Sequence, residues 1–206
     1  MATRIAADAA AELARRDRVV RRLLERHGPP PLGRARPTAE RFSVLARSIV
    51  YQQLAGKAAA SIHGRLVACL AGEVTPKALL AAPVDQLRAC GLSANKTAAL
   101  LDLADKVESG VVTLDRIGRL ADDEVVAQLV QVRGIGVWTA EMFLLFTLGR
   151  MDVWPIGDLG VRAGFAKAWG LPERPTPKAL QSLGDPFRPY RSVVAWYCWR
   201  AVDQEQ

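Results

Sequence analysis

The sequence predicts an all-α protein with two helical lobes. Apolar residues recur at helical spacing along most of the 206-residue chain, the links between helical segments are short, and no stretch shows the alternation of a strand. This length is sufficient for a buried core in one domain or in two small lobes. Half of the residues are apolar and 24% are charged, which is ordinary for a globular protein.

Three helices are predicted in the first third of the chain. Apolar residues between positions 13 and 24 indicate one helix, which Gly28 and the three prolines after it bring to an end. A second helix is predicted over residues 42–50. An alanine-rich third helix, over residues 57–71, has small side chains that suit close packing. The pair Thr75-Pro76 then predicts an N-cap followed by proline at the first helical position.

An apolar helix, a Gly-Ile-Gly turn and a second apolar helix form the most informative pattern. The turn occupies residues 134–136; Asp122 or Asp123 is predicted to cap the helix before it, and the helix after it is predicted over residues 141–148. Two glycines allow backbone conformations closed to other residues and leave no side chain above the turn. Backbone N–H groups at the start of the second helix therefore form a small site for a phosphate.

The last third of the chain predicts two further helices, over residues 159–169 and 190–202, with Pro172, Pro175 and Pro177 in the link between them. Residues 87–98 repeat part of the hairpin pattern, with Gly91 in the turn. Chance spacing and a true duplication both explain this repeat.

The chain is strongly basic, with a formal net charge of +7 and an isoelectric point of about 9.8. Such an excess suits a polyanionic partner such as nucleic acid. Most of it lies in residues 1–36, which contain nine arginines and four acidic residues. These arginines form either a solvated face or an electrostatic support for binding.

Cysteine and histidine usage argues against several kinds of site. Three cysteines far apart do not form a disulfide framework and indicate a reducing compartment. They are also too few for a four-cysteine iron–sulfur cluster. The two histidines, His27 and His63, have no neighbouring cysteine or carboxylate cluster, so we expect no zinc site. No apolar run is long enough to span a bilayer, and we expect no membrane association and no export signal.

The hairpin is followed by the loop Trp-Pro-Ile-Gly-Asp at residues 154–158. Together they resemble the helix–hairpin–helix (HhH-GPD) superfamily of DNA glycosylases, and within it the 3-methyladenine DNA glycosylase II branch. The resemblance extends from Leu13 to Trp199. It implies one glycosylase unit over residues 1–206, with a central lobe of about residues 42–149. A second lobe is formed by about residues 1–41 and 150–206, and a cleft between the lobes holds the base.

The implied activity is hydrolysis of the N-glycosidic bond of an alkylated purine, such as 3-methyladenine or 7-methylguanine, flipped out of duplex DNA. Breaking this bond leaves positive charge on the sugar, which a nearby carboxylate stabilises. The resemblance assigns this role to Asp158, whereas an aspartate before a helix is ordinarily an N-cap. Asp152 is the fallback and is expected to be structural. Members that also nick the backbone have a lysine where this chain has Trp138, so the implied enzyme is monofunctional.

The resemblance also implies a base pocket and a wedge. The residues assigned to the pocket are Trp138, Met142, Trp199 and Tyr51, and Met142 stands where the bacterial relative has a tyrosine. Leu54 matches the apolar wedge that fills the gap left by the base, and Gln53 precedes it. Large aromatic residues and leucines at helical spacing also fit a core, so packing is the alternative for these positions.

Two further groups of residues are implied at the hairpin. The first would contact the DNA backbone: Arg133, Gly134, Gly136 and Thr139. The second would hold a monovalent cation, Na⁺ or K⁺, through backbone carbonyl oxygens: Val130, Val132 and Ile135. No cofactor is required by the implied reaction.

Two other functions fit the same sequence. One is a related glycosylase for an oxidised or deaminated purine, and the other is a non-catalytic module that binds damaged DNA. In each case we expect a monomer that binds double-stranded DNA, in the cytoplasm with the nucleoid or in a nucleus.

Overall fold

The computed structural model describes residues 3–203, which contain twelve α-helices and no β-strand. The helices are, in chain order, α1 Arg4–Arg16, α2 Arg18–His27, α3 Arg41–Tyr51, α4 Gly56–Cys69, α5 Pro76–Ala81, α6 Val84–Ala89, α7 Ala94–Glu108, α8 Asp122–Leu129, α9 Val137–Phe146, α10 Leu159–Trp169, α11 Pro177–Leu183 and α12 Arg191–Val202. The predicted all-α class is confirmed. No helix in this range has the length and apolar character needed to cross a membrane.

The helices form two compact units. The central unit is Arg36–Phe143, and the terminal unit consists of the described residues on either side of it. In the central unit, leucine and isoleucine side chains that are fully or almost fully buried fill the core: Leu45, Ile49, Leu66, Leu79, Leu87, Leu100, Leu103, Ile117 and Leu129. Arg41 is also buried there, and its Nη1 donates to the Leu114 carbonyl oxygen at 2.6 Å. This bond offsets part of the cost of burying the guanidinium, whose Nε is buried without a hydrogen-bond partner.

The terminal unit is organised around close packing of α10 against α12. Phe165 of α10 and Val194 and Tyr197 of α12 belong to one buried apolar cluster, to which α1 and α2 also contribute. A Cβ atom added at Gly164 would overlap the backbone of Cys198. The absence of a side chain at Gly164 therefore lets the two helix backbones touch.

The N-terminal region differs from its prediction. The structure has two helices, α1 and α2, where a single helix through residues 13–24 was expected. Asp17 separates them, because its Oδ1 accepts hydrogen bonds from the backbone N–H groups of Val19 and Val20, at 2.7 and 2.9 Å. Asp17 is thus an N-cap in the middle of the apolar pattern.

Three predictions for the later helices were also wrong. Ala121 is the N-cap residue of α8, so neither Asp122 nor Asp123 caps it; instead the Glu124 side chain accepts from the Ala121 N–H at 2.8 Å. Helix α9 begins at residue 137 and not at 141, directly after the turn. Helix α11 lies in the proline-containing link between the last two predicted helices, where no helix was predicted, with Thr176 as its N-cap.

The contact at Gly164 predicts a large effect of one methyl group. Gly164→Ala should lower the free energy of unfolding by more than about 3 kcal/mol, since backbone cannot move aside as a flexible side chain can. Gly64→Ala is the matched control, because Gly64 lies within α4 with open space around its Cα. That change should stabilise the protein by about 0.5–1 kcal/mol. Urea unfolding of both variants measures the difference, and equal stabilities would contradict the packing described.

Candidate active site and nucleic-acid interface

The turn between α8 and α9 presents backbone donors at the surface of the central unit. Gly134 has a φ of +79°, a conformation that favours glycine, and a Cβ at Gly136 would meet no atom within 4 Å. Ile135 between them is 4% exposed and anchors the turn in the core. Helix α9 starts at Val137, directly after the turn. The N-terminus of a helix directs backbone N–H groups and the positive end of its dipole outward, which suits an anion.

Three hydrogen bonds from distant parts of the central unit brace this turn. The backbone N–H of Arg133 donates to Asp102 Oδ2 at 2.7 Å, and Arg133 Nη2 donates to Asn95 Oδ1 at 3.2 Å. From the other side, Gln52 Nε2 donates to the Gly134 carbonyl oxygen at 2.8 Å. Helix α7 and the segment after α3 therefore hold the turn in place. No local sequence signal predicted either partner.

The repeat at residues 87–98 is also visible in the structure. Gly91 has a φ of +94°, and Leu92 after it is buried, as Ile135 is after Gly134. Each following helix begins three residues after its glycine. The two turns therefore match with Gly91 opposite Gly134. The sequence repeat, in which Leu87 corresponds to Leu129, instead sets Gly91 opposite Arg133, one residue away. Common packing rules and duplication both explain the match.

The segment after α3 is exposed and strained. Gln53 has a φ of +56°, which is uncommon for a residue with a side chain. Leu54 is 38% exposed and is therefore not a core leucine. An apolar side chain held out by a strained backbone suits insertion into a partner, since strain of this kind is concentrated at functional sites.

A cavity of about 490 Å³ in the central unit brings together most of the predicted pocket residues. Its lining contains Ser48, Tyr51, Gln52, Gln53, Trp138, Thr139 and Met142. The volume is in the range of small-molecule sites, roughly 300–1,000 Å³. Trp138 is 50% exposed, so it is not a core residue. Thr139 was predicted to contact DNA, but it is buried and lines this cavity.

Asp158 is the N-cap residue of α10 in the terminal unit. Its Oδ1 accepts hydrogen bonds from the backbone N–H of Val161, at 2.7 Å, and from Trp199 Nε1, at 3.0 Å. The carboxyl group is nearly buried, with 8% of the residue exposed. Two N–H donors and the helix dipole together stabilise negative charge at this position.

Trp199 was predicted as a pocket aromatic, and the structure places it beside Asp158. Besides its hydrogen bond to that carboxylate, its ring lies 5.8 Å from the ring of Phe146, centroid to centroid. The side chain is only partly buried. Trp199 therefore orients Asp158 and also presents an aromatic surface next to it.

Asp17 has surroundings of the same kind as Asp158. It caps α2 through Oδ1, and its Oδ2 accepts a hydrogen bond from Trp169 Nε1 at 3.2 Å. Both Asp17 and Asp158 thus cap a helix and accept a hydrogen bond from an indole N–H. This geometry alone does not distinguish a catalytic carboxylate from a structural one, but it makes Asp17 a matched control for Asp158.

Asp152, the fallback carboxylate, is engaged by two arginines. Arg191 donates from Nε to Oδ1 at 2.8 Å and from Nη2 to Oδ2 at 2.9 Å, and Arg188 Nη1 donates to Oδ2 at 2.8 Å. These bonds tie the loop before Asp158 to the start of α12. Asp152 is therefore suited to a structural role, as expected.

The described residues contain no group of three histidine, cysteine, aspartate or glutamate side chains that could hold a metal ion. Cys69, Cys90 and Cys198 are free thiols.

The charge of Asp102 is predicted to stabilise the braced turn in a pH-dependent way. Burial raises the pKa of Asp102, but hydrogen bonds from the Arg133 N–H and from Lys106, and the charges of both residues, outweigh burial and lower the pKa below 3.8. The ionised carboxylate therefore adds stability above pH of about 4, and this contribution is lost as pH falls through the lowered pKa.

Asp102→Asn should thus cost about 1 kcal/mol of unfolding free energy at neutral pH, after allowance for solvent screening. The difference from wild type should shrink towards zero below pH of about 3.5. Urea unfolding across this pH range measures it. Asp105→Asn, at an exposed position of the same helix, should have little effect throughout. A cost for Asp102→Asn that does not change with pH would contradict this role of the charge.

Comparison with known proteins gives one consistent result. A family model described as HhH-GPD superfamily base excision DNA repair protein matches residues 46–189. DNA-3-methyladenine glycosylase 1 of Schizosaccharomyces pombe is 34% identical over 183 residues, which are 87% of this chain and 80% of that protein.

Solved structures are similar over nearly the whole chain. A DNA-3-methyladenine glycosidase from Bacillus halodurans matches with a TM-score of 0.86 at 32% identity, covering 96% of this chain and 91% of that one. The S. pombe 3-methyladenine DNA glycosylase in complex with abasic DNA matches with a TM-score of 0.76, also at 32% identity, covering 94% and 95%.

Proposed function

Because the chain belongs to the HhH-GPD superfamily of base excision DNA repair proteins, we propose that it is a monofunctional DNA glycosylase. Its substrates are alkylated purines of the 3-methyladenine and 7-methylguanine type in duplex DNA. The observation that supports this most directly is the nearly buried carboxylate of Asp158, held by Val161 and Trp199. Such a carboxylate can stabilise positive charge without moving.

In the proposed reaction the bond between the base nitrogen and C1′ breaks, and its electron pair leaves with the base. Positive charge develops on the sugar, where the carboxylate of Asp158 stabilises it. Water adds to C1′ and gives up a proton, and Asp158 orients this water and accepts the proton. The products are the free base and an abasic sugar. The Trp199 N–H fixes the carboxylate during these steps.

The extruded base is proposed to bind in the cavity that Trp138, Tyr51 and Met142 line. Aromatic faces stack on bases, and an indole is the strongest partner for a cationic alkylated purine. Trp138 also offers no amine that could form a Schiff base with the sugar, so the reaction stops at the abasic site. Leu54 is proposed to fill the gap left in the duplex, with Gln53 positioning it.

The turn of Gly134 and Gly136 is proposed to bind a phosphate of the DNA backbone through the N–H groups at the start of α9. Thr139, the third residue of α9, would contribute its backbone N–H while its side chain lines the cavity. Arg133 adds positive charge at the same place. The basic chain acts on double-stranded DNA as a monomer, in a compartment that contains DNA.

The backbone carbonyl oxygens of Val130, Val132 and Ile135 are proposed to hold a monovalent cation. Within residues 3–203, the carbonyls of Val130 and Ile135 accept no hydrogen bond from another loop or turn N–H, and that of Val132 accepts one from Ile135. Neutral oxygens suit Na⁺ or K⁺, whereas divalent ions are usually held by carboxylates. A bound cation would supply positive charge for a phosphate. We propose such a site, with no role for the cation in the chemical step.

Asp158→Asn tests the function without removing the helix cap, because asparagine caps helices as well as aspartate. Base release from methylated duplex DNA should fall by more than about 100-fold, since the neutral amide cannot stabilise the charged sugar. Thermal stability and binding to abasic DNA should remain close to those of wild type.

Asp17→Asn is the control, because Asp17 also caps a helix and accepts an indole N–H. It should leave base release within about twofold of wild type. Equal activities of the two variants would remove Asp158 from the mechanism.

A further inference from the structure

Tyr51 lines the cavity that also contains Trp138 and Met142. Its ring also packs against Arg47 and His63, which line a separate groove of the central unit. The Arg47 guanidinium carbon is 4.1 Å from the centre of the Tyr51 ring, and the His63 ring meets the Tyr51 ring edge-on at 6.1 Å. The charge of Arg47 thus lies against a ring that lines the cavity.

The charge next to the Tyr51 ring is that of Arg47. In the described part of the chain Arg47 forms no ion pair, whereas Arg36 and Glu40 of the same groove pair with each other at 3.2 Å. Glu73 also lines the groove, without an ion pair to Arg47. Burial and the Arg47 charge lower the pKa of His63 below 6.5, so the imidazole is neutral at pH of about 7.5.

We propose that Arg47 determines specificity by setting the charge preference of the base cavity through Tyr51. This inference rests on the proposed function, because it takes the cavity to be the site of the extruded base. Arg47 supports the removal of uncharged purines and disfavours cationic ones. It does not touch the base, and its effect is electrostatic.

The sign of this charge preference follows from the charge of the base when it leaves with the electron pair of the broken bond. When the bond between C1′ and N9 of an uncharged purine such as hypoxanthine breaks, the base leaves as an anion and takes a proton from water afterwards. A cationic base such as 7-methylguanine leaves as a neutral molecule. A fixed positive charge beside the cavity stabilises the departing anion and repels the bound cation. Uncharged bases are poorer leaving groups than cationic ones. Stabilisation of the departing anion by Arg47 therefore widens the range of substrates.

Arg47→Met tests the proposal, because methionine keeps an unbranched side chain against Tyr51 and removes the charge. The measured quantity is the ratio of kcat/KM for 7-methylguanine to kcat/KM for hypoxanthine in the same duplex sequence at pH of about 7.5. This ratio should rise about tenfold, the effect expected of one charge near a protein surface. Arg47→Lys keeps the charge and should leave the ratio within about threefold of wild type.

Each outcome decides one claim. A ratio unchanged in Arg47→Met, or equal losses on both bases, overturns the role of Arg47 and leaves the proposed function standing. Wild-type protein that removes 7-methylguanine but shows no hypoxanthine release also overturns it. Wild-type protein that removes neither base overturns the proposed function itself. Arg47 is exposed, so both variants should fold, which thermal unfolding verifies.

Discussion

The Oδ1 atom of Asp158 accepts two hydrogen bonds, from the backbone N–H of Val161 at the start of α10 and from Trp199 Nε1, and the proposed chemistry of the terminal unit depends on them. The donors come from different helices, α10 and α12. They meet because Gly164 allows the backbones of α10 and α12 to touch, which places Trp199 beside the start of α10. The close packing of the core is therefore also what orients the carboxylate. A group held in this way needs no reorganisation when charge develops next to it.

The central unit prepares its site by the same principle, with polar side chains from distant segments that hold exposed groups in place. Asp102 and Gln52 hold the turn from two sides, so its backbone keeps one orientation. Gln52 also lies between the turn and the strained Gln53, so one side chain links the proposed phosphate site to the proposed wedge. Tyr51, next in the chain, lines the cavity and is backed by Arg47. Residues 51–54 thus contain the groups that are proposed to hold the phosphate-binding turn, to fill the gap in the duplex and to bind the base.

Local patterns predicted the all-α class, the Gly-Ile-Gly turn and the position of Asp158, because glycine turns and caps act within a few residues. The same reasoning failed at Asp17, because the apolar pattern continues through the break between α1 and α2 and predicted a single helix. It also passed over α11, although Thr176-Pro177 carries the signal recognised at Thr75-Pro76. The bonds of Asp102 and Gln52 to the turn join segments 31 and 82 residues apart, and a single sequence has no periodicity that encodes such pairs. The stack of Arg47 on Tyr51, four residues apart on α3, was within reach of helical spacing rules.

The most direct test of the central claim is base release by the wild-type protein from duplex DNA treated with a methylating agent. Free purines are separated by chromatography, and the DNA strands are examined with and without alkali. Catalysis by Asp158 with water as nucleophile predicts free 3-methyladenine and 7-methylguanine, together with strands that break only after alkali. Intact methylated DNA after prolonged incubation, or strands cut without alkali, would contradict it.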